Sequence, residues 1–124
     1  MTSSYYPPCP ELTRCNELIE KYYKTKQYEK CFEGHLELAK KGYPLAQCQV
    51  GYFFYEGLGV KKNNHLAFFW TQKAALNGDR DAQYNLGEFY EEGIIVSKDP
   101  AKAKYWYLQA AKQQQSEALL KVKK

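Results

Sequence analysis

The chain reads as all-α: a solenoid of about three helix pairs closed by a C-terminal capping helix. Two observations carry this. A period of 36 residues runs through the sequence: Ala46-Gln47 recurs as Ala82-Gln83, Gly51 as Gly87, Phe53 as Phe89, Glu56-Gly57 as Glu92-Gly93, Val60 as Val96, Ala67 as Ala103, Trp70 as Trp106, Ala74-Ala75 as Ala110-Ala111, and Ala118 opens a further copy on schedule. Within each copy the apolar residues fall at helical spacing on either side of a glycine-containing loop. A fixed period in this range marks stacked units, each unable to bury its apolar face alone.

Residues 1–10 (MTSSYYPPCP) read as a flexible lead, with three prolines and no period. The region 11–124 then reads as one repeat domain, with units at about 11–45, 46–81 and 82–117 and a cap at 116–124. The first unit is degenerate. Its first helix is expected over about 11–25, with Leu12, Leu18, Ile19, Tyr22 and Tyr23 apolar, and a short Thr25-Lys26-Gln27 connection follows. Cys31-Phe32 to Gly42 aligns with Ala67-Phe68 to Gly78, which puts Ala39 under Ala75.

In the second unit Gly57 ends the first helix through a left-handed residue, Asn63 caps the next helix and Asn77-Gly78 ends it. The third unit repeats the plan, with Leu86, Phe89 and Tyr90 apolar, Gly93 as the exit, Asp99 as N-cap and Pro100 in the first turn. Ala103, Trp106, Tyr107, Ala110 and Ala111 form its second packing stripe. Gly51 and Gly87 lie inside helices, where glycine costs about 1 kcal/mol relative to alanine, so a neighbouring helix backbone is expected close by. Residues 116–123 (SEALLKVK) complete the stack as a single helix.

The quoted motifs, AQCQVGYFFYEGLGV…NNHLAFFWTQKAALNG and AQYNLGEFYEEGIIV…DPAKAKYWYLQAAKQ, resemble Sel-one-like repeats, relatives of tetratricopeptide repeats. The resemblance covers residues 46–117, and 31–45 in part, while the first helix pair looks closer to an ordinary tetratricopeptide unit. It implies a right-handed α/α superhelix and a non-enzymatic protein-interaction scaffold. Two departures stand out. Ile95 replaces the second loop glycine, Gly59, so the second loop is expected to turn differently. Gln113-Gln114-Gln115 replaces the terminating Asn-Gly, so that helix is expected to run on.

In such a solenoid the first helix of each pair lines the concave surface. The positions there that packing does not require are Glu20, Tyr23, Tyr52, Tyr55, Glu56, Tyr84, Glu88, Glu91 and Glu92. These make an inferred groove rich in tyrosine and carboxylate, and the lysines fall largely outside it. Tyrosine gives contact area at little rotamer cost, and carboxylates match Lys or Arg, so the expected partner is a protein with a basic or mixed basic and apolar surface. Packing between repeats and solvated helix faces would place the same residue types there.

The remaining composition narrows the alternatives. Eighteen basic against fourteen acidic residues gives +4, with Lys121, Lys123 and Lys124 at the end supplying most of the excess. This is too dispersed for nucleic acid. No apolar run is long enough to span a membrane, and residues 1–10 do not read as a signal peptide. Four cysteines, Cys9, Cys15, Cys31 and Cys48, form no CxxC pair and have no histidine at metal-ligand spacing, so a reducing cytoplasm, no metal and no cofactor are expected.

Cys31 stands where a packing alanine would, Cys48 falls where it can face the groove, and His35 reads as a surface residue. No nucleophile, base and orienting group come together, so the chain is not expected to be an enzyme. The leading reading is a binder that inhibits or sequesters a single protein, for instance an immunity protein against a basic toxin. The alternative is a peptide-binding adaptor in signalling or chaperone recruitment. With 12 tyrosines, a weak homodimer stays open.

Overall fold

The computed structural model describes residues 10–123, with side chains from residue 11, so the lead expected over 1–10 falls outside the described residues except for the backbone of Pro10. Helix α1 (Pro10–Leu18) runs directly into a π-helical turn, Ile19–Tyr23. It is followed by α2 (Tyr28–Lys40), α3 (Pro44–Glu56), α4 (Asn64–Leu76), α5 (Arg80–Glu92), α6 (Pro100–Lys112) and α7 (Ser116–Val122). No strand occurs among the described residues. Each helix packs chiefly on its neighbours in sequence, as in a stack of helix pairs.

Local chemistry sets the ends. Asn63 and Asp99 accept from the backbone N–H of Leu66 and Lys102, and Pro44 and Pro100 open α3 and α6. Gly57 and Gly93 take φ of 70° and 69° and return their N–H to Phe53 and Phe89, the left-handed exit the glycines predict. Asp79, wholly buried, caps α5 by accepting from Ala82 N at 2.7 Å.

Both expected departures from the repeat turn out otherwise. Ile95 adopts φ 71°, close to the 68° of Gly59, so the second loop turns as the first does despite a β-branched side chain in the left-handed region. Gly59 is needed for room as well, since a Cβ there would meet the backbone of Tyr28 and Glu29. Nor does α6 run on. It ends at Lys112; Gln114 takes φ 63° where the first copy has Gly78, and Gln115 caps α7 by accepting from Ala118 N at 2.7 Å. Arg80 holds this turn by donating to the carbonyls of Gln113 and Gln114 at 2.9 and 3.2 Å.

The core forms two clusters. One gathers Leu12, Leu18, Phe32, Leu45, Val50 and Phe53, and the other Ala74, Ala82, Leu86, Phe89, Tyr107 and Ala110. A polar ladder crosses the junctions between units. Gln47 donates to Ala39 O at 3.2 Å and accepts from Asn77 at 2.9 Å; 36 residues on, Gln83 donates to Ala75 O at 3.2 Å and accepts from Gln113 at 2.9 Å. Both glutamines are buried, so their amides are satisfied inside the stack.

The two helical glycines differ in what they admit. A Cβ at Gly51 would meet Thr71 Oγ1 at 2.6 Å and the backbone of α4, Ala67 O and Thr71 N, at 3.2 Å, which is the close backbone approach expected. At Gly87 the obstacle is instead a side chain, the ring of Tyr107 at 2.7 Å. Thr71 and Tyr107 occupy the same repeat position.

Candidate functional site

Of the nine residues expected to face the groove, Tyr52, Tyr55, Glu56, Glu88 and Glu92 line one cavity of about 280 Å³ between α3 and α5. Gly51, Thr71, Asn85, Phe89 and Ile94 complete its wall. Repeat register explains the convergence, because Tyr52 and Glu88 are equivalent positions, as are Glu56 and Glu92.

Tyr23 meets this group at its edge, its hydroxyl 3.5 Å from that of Tyr52. The hydrogen bond with Tyr23, then burial, pushes the Tyr52 hydroxyl up to about 12. Tyr23 sits in the π turn, where Lys24 N reaches back five residues to Ile19 O at 3.0 Å. Its ring packs against Tyr28 and Phe53, at centroid distances of 5.3 and 6.2 Å. Tyr55 is half-buried between Phe89, at 5.6 Å, and Lys62 Nζ, 4.7 Å over its ring. Glu20 is exposed and paired with Lys24 at 2.7 Å, and it does not line the cavity.

Tyr84 does not have the packing-free position expected of it. It is buried, with its ring 5.5 Å from that of Tyr107, because Gly87 leaves the space that Tyr107 fills and Tyr84 closes over it. Its hydroxyl donates to Glu88 at 3.2 Å, and burial, then Glu88, pushes it up to about 12. Tyr84 therefore holds Glu88 from beneath. Burial also raises the Glu88 carboxyl above the usual range, against the opposing pull of the Tyr84 hydrogen bond.

Glu91 turns to a different cavity, of about 290 Å³, bounded by α5, α6 and α7. There Tyr107 and Lys121 each donate to its Oε1 at 2.8 Å. Burial, then the Glu91 hydrogen bond, raises the Tyr107 hydroxyl, and the Glu91 hydrogen bond raises the Lys121 ammonium. This triad fastens α7 to the stack. Sequence reasoning missed it, although Lys121 and Tyr107 were both visible as residues.

The remaining chemistry is buried. Cys48 does not face the groove: it is 8% exposed, at the repeat position of Tyr84, and burial followed by Asp79 raises its thiol well above the ordinary value. Cys31 is fully buried and pushed up to about 11, and Cys31 and Cys48 are free thiols. His35, expected on the surface, is wholly buried; its Nδ1 lies 2.9 Å from Cys31 O and so donates to it, which leaves Nε2 as a lone pair without a partner. The 36-residue register carried the signal, since His35, Thr71 and Tyr107 share one position and all three are buried. Among the described residues no group of histidine, cysteine or carboxylate could hold a metal ion, and no helix is long and apolar enough to cross a membrane.

Known proteins share this architecture. The Sel1 repeat matches residues 44–79 and 80–114. A Sel1 repeat protein from Oxalobacter formigenes superposes with a TM-score of 0.78 at 39% identity, over 87% of this chain and 43% of that one. The c5321 protective antigen of uropathogenic Escherichia coli, which displays an SLR fold, gives 0.76 at 27% identity, over 84% of this chain and 23% of that one. The chitin synthase regulator SKT5 of Saccharomyces cerevisiae is 39% identical over 57 residues, 46% of this chain and 8% of its own length. The chain thus spans less than half of each relative. Sel1 repeats generally mediate protein–protein interaction and are generally non-enzymatic. With the repeat matched over more than half of its residues, the chain belongs to the Sel1 repeat family.

Proposed function

We propose that this chain is a non-enzymatic module, acting as one unit over residues 11–124, that inhibits or sequesters a single protein through its concave face. The observation that carries the reading is the convergence of Tyr52, Tyr55, Glu56, Glu88 and Glu92 on one cavity. Tyr23 stands at the edge and Tyr84 supports Glu88 from beneath, while Glu20 and Glu91 do not line the cavity. The partner surface is basic or mixed basic and apolar, and neither nucleic acid nor a membrane is engaged. A toxin-neutralising immunity protein is one concrete form, in which an acidic, aromatic groove covers a basic toxin domain. The cytoplasm is the compartment this reading takes, consistent with the free thiols of Cys31 and Cys48. Regulation of an enzyme by contact, suggested by the name of the yeast relative, is a neighbouring form of the same activity.

The test is co-purification with tagged wild-type protein beside the Tyr52→Ala/Glu88→Lys variant. One stoichiometric partner, lost in the variant while its thermal melt is unchanged, supports the reading. A partner retained at full strength would move the binding surface elsewhere.

A further inference from the structure

The helices of this chain end in two ways. α2, α4, α6 and α7 carry Lys40, Lys73, Lys112 and Lys121 in their last turns, the charge that the negative end of a helix dipole favours. α3 and α5 have no base there and end on Glu56 and Glu92, a like charge set against the dipole. Both of these ends line the same cavity, and the half-buried Glu88 adds a third carboxylate.

No ion pair forms to Glu56, Glu88 or Glu92 among the described residues. Two nearby bases are engaged elsewhere: Lys62 donates to Tyr55 O at 2.6 Å, and Lys121 is held by Glu91. Burial, then the charges of Glu92 and Glu117, raises the Glu88 carboxyl against the Tyr84 hydrogen bond and the charge of Lys121, which is bonded to Glu91. Three carboxylates and two helix C-termini around one aromatic-walled depression concentrate negative potential there. The local rule is broken at two helix ends that meet at one cavity, which points to an occupant from outside.

We propose that this cavity seats one arginine side chain presented by the protein partner, its guanidinium bridging Glu88 and Glu92 and lying against the ring of Tyr52. The inference rests on the concave-face reading above. Arginine suits the site better than lysine because its planar fork of donors can span two carboxylates while its face stacks on an aromatic ring. Tyr52 offers that ring: it is 36% exposed, whereas Tyr55 already carries Lys62. A cavity of about 280 Å³ takes a side chain and leaves the partner's backbone at the rim.

The test is a backbone-amide NMR titration of the whole chain with the peptide acetyl-Leu-Arg-Leu-amide and its twin carrying citrulline, which keeps the shape and removes the charge. The expected result is shifts confined to residues around 51–56 and 85–94, with the arginine peptide bound roughly tenfold tighter. That preference should shrink as salt rises from about 50 to about 500 mM. Glu92→Gln and Glu88→Gln should each remove it while the thermal melt shows a folded protein. Equal binding of the twins would overturn the arginine seat and leave the concave-face reading standing. Shifts elsewhere, or none from either peptide, would also overturn the seat, and the co-purification experiment judges the wider reading without reference to arginine.

Discussion

Gln113 donates its side-chain amide to the side-chain oxygen of Gln83 at 2.9 Å, repeating within the third unit the bond that Asn77 makes to Gln47 within the second. Each acceptor glutamine donates in turn to a carbonyl of the preceding unit. The junctions are therefore joined by directional bonds as well as by apolar contact. Gln83→Leu removes two hydrogen bonds from a buried site, one across the junction and one within the unit. It should lower stability by about 2 kcal/mol, at about 1 kcal/mol for each lost bond, read from urea denaturation. An unchanged midpoint would mean that packing alone fixes the junction.

Gly51 and Gly87 should respond differently to rescue. Gly87→Ala drives a Cβ into the ring of Tyr107, which the Glu91 bond keeps in place, and overpacking of this kind costs about 1–3 kcal/mol. In a Tyr107→Ala background the same change should become stabilising by up to about 1 kcal/mol, the helix preference for alanine. Gly51→Ala should keep part of its cost in a Thr71→Ala background, because the backbone atoms at 3.2 Å remain. Thermal melts of the two double mutants separate these cases. Gly87→Leu, larger still, should unfold the stack.

His35 makes stability depend on pH. Burial lowers its folded value below the ordinary 6.5, so the unfolded chain takes up the proton first. Stability from this group is therefore fully present above about pH 6.5 and is lost as pH falls through the folded value, at up to about 1.4 kcal/mol per pH unit. His35→Met should flatten the urea midpoint between about pH 5 and pH 6.5. A slope that survives the substitution would assign it to other groups.

Glu88 works in the opposite direction. Its folded value is raised, so the folded chain binds the proton more readily; stability from this group is present below the ordinary 4.5 and lost as pH rises through the folded value. Glu88→Gln keeps an acceptor for Tyr84 and removes the desolvated charge. At pH 7 its melting temperature should equal or exceed that of the wild type, and the gap should close as pH falls towards about 4.5. A clear loss of stability at pH 7 would show that the charge supports the fold.

The fold was legible where a residue type has one local use. Asn63, Asp99 and Pro100 announce helix starts and Gly57 and Gly93 announce exits, and all act as expected. Ile95 and Gln114 were misread because neither favours the left-handed region, yet both adopt it. For Gln114 the cause is tertiary: Arg80, from another helix, bonds the carbonyls of the turn. The groove was legible in part. Repeat spacing brings Tyr52, Tyr55, Glu56, Glu88 and Glu92 together, but the burial of Tyr84 follows from the space at Gly87 and the bulk of Tyr107, a contact between helices that a face count along one helix does not register.

The glutamine ladder also makes the stack a gauge of its own helix lengths. One residue inserted near the start of α3 or α5 would swing the following side chains by about 100° and carry Gln47 or Gln83 off both of its partners at once. An insertion at the exposed Ser97-Lys98 would swing nothing, because Asp99 N is fastened independently to Tyr90 O at 2.9 Å. Length is metered inside the helices and free to vary at that loop.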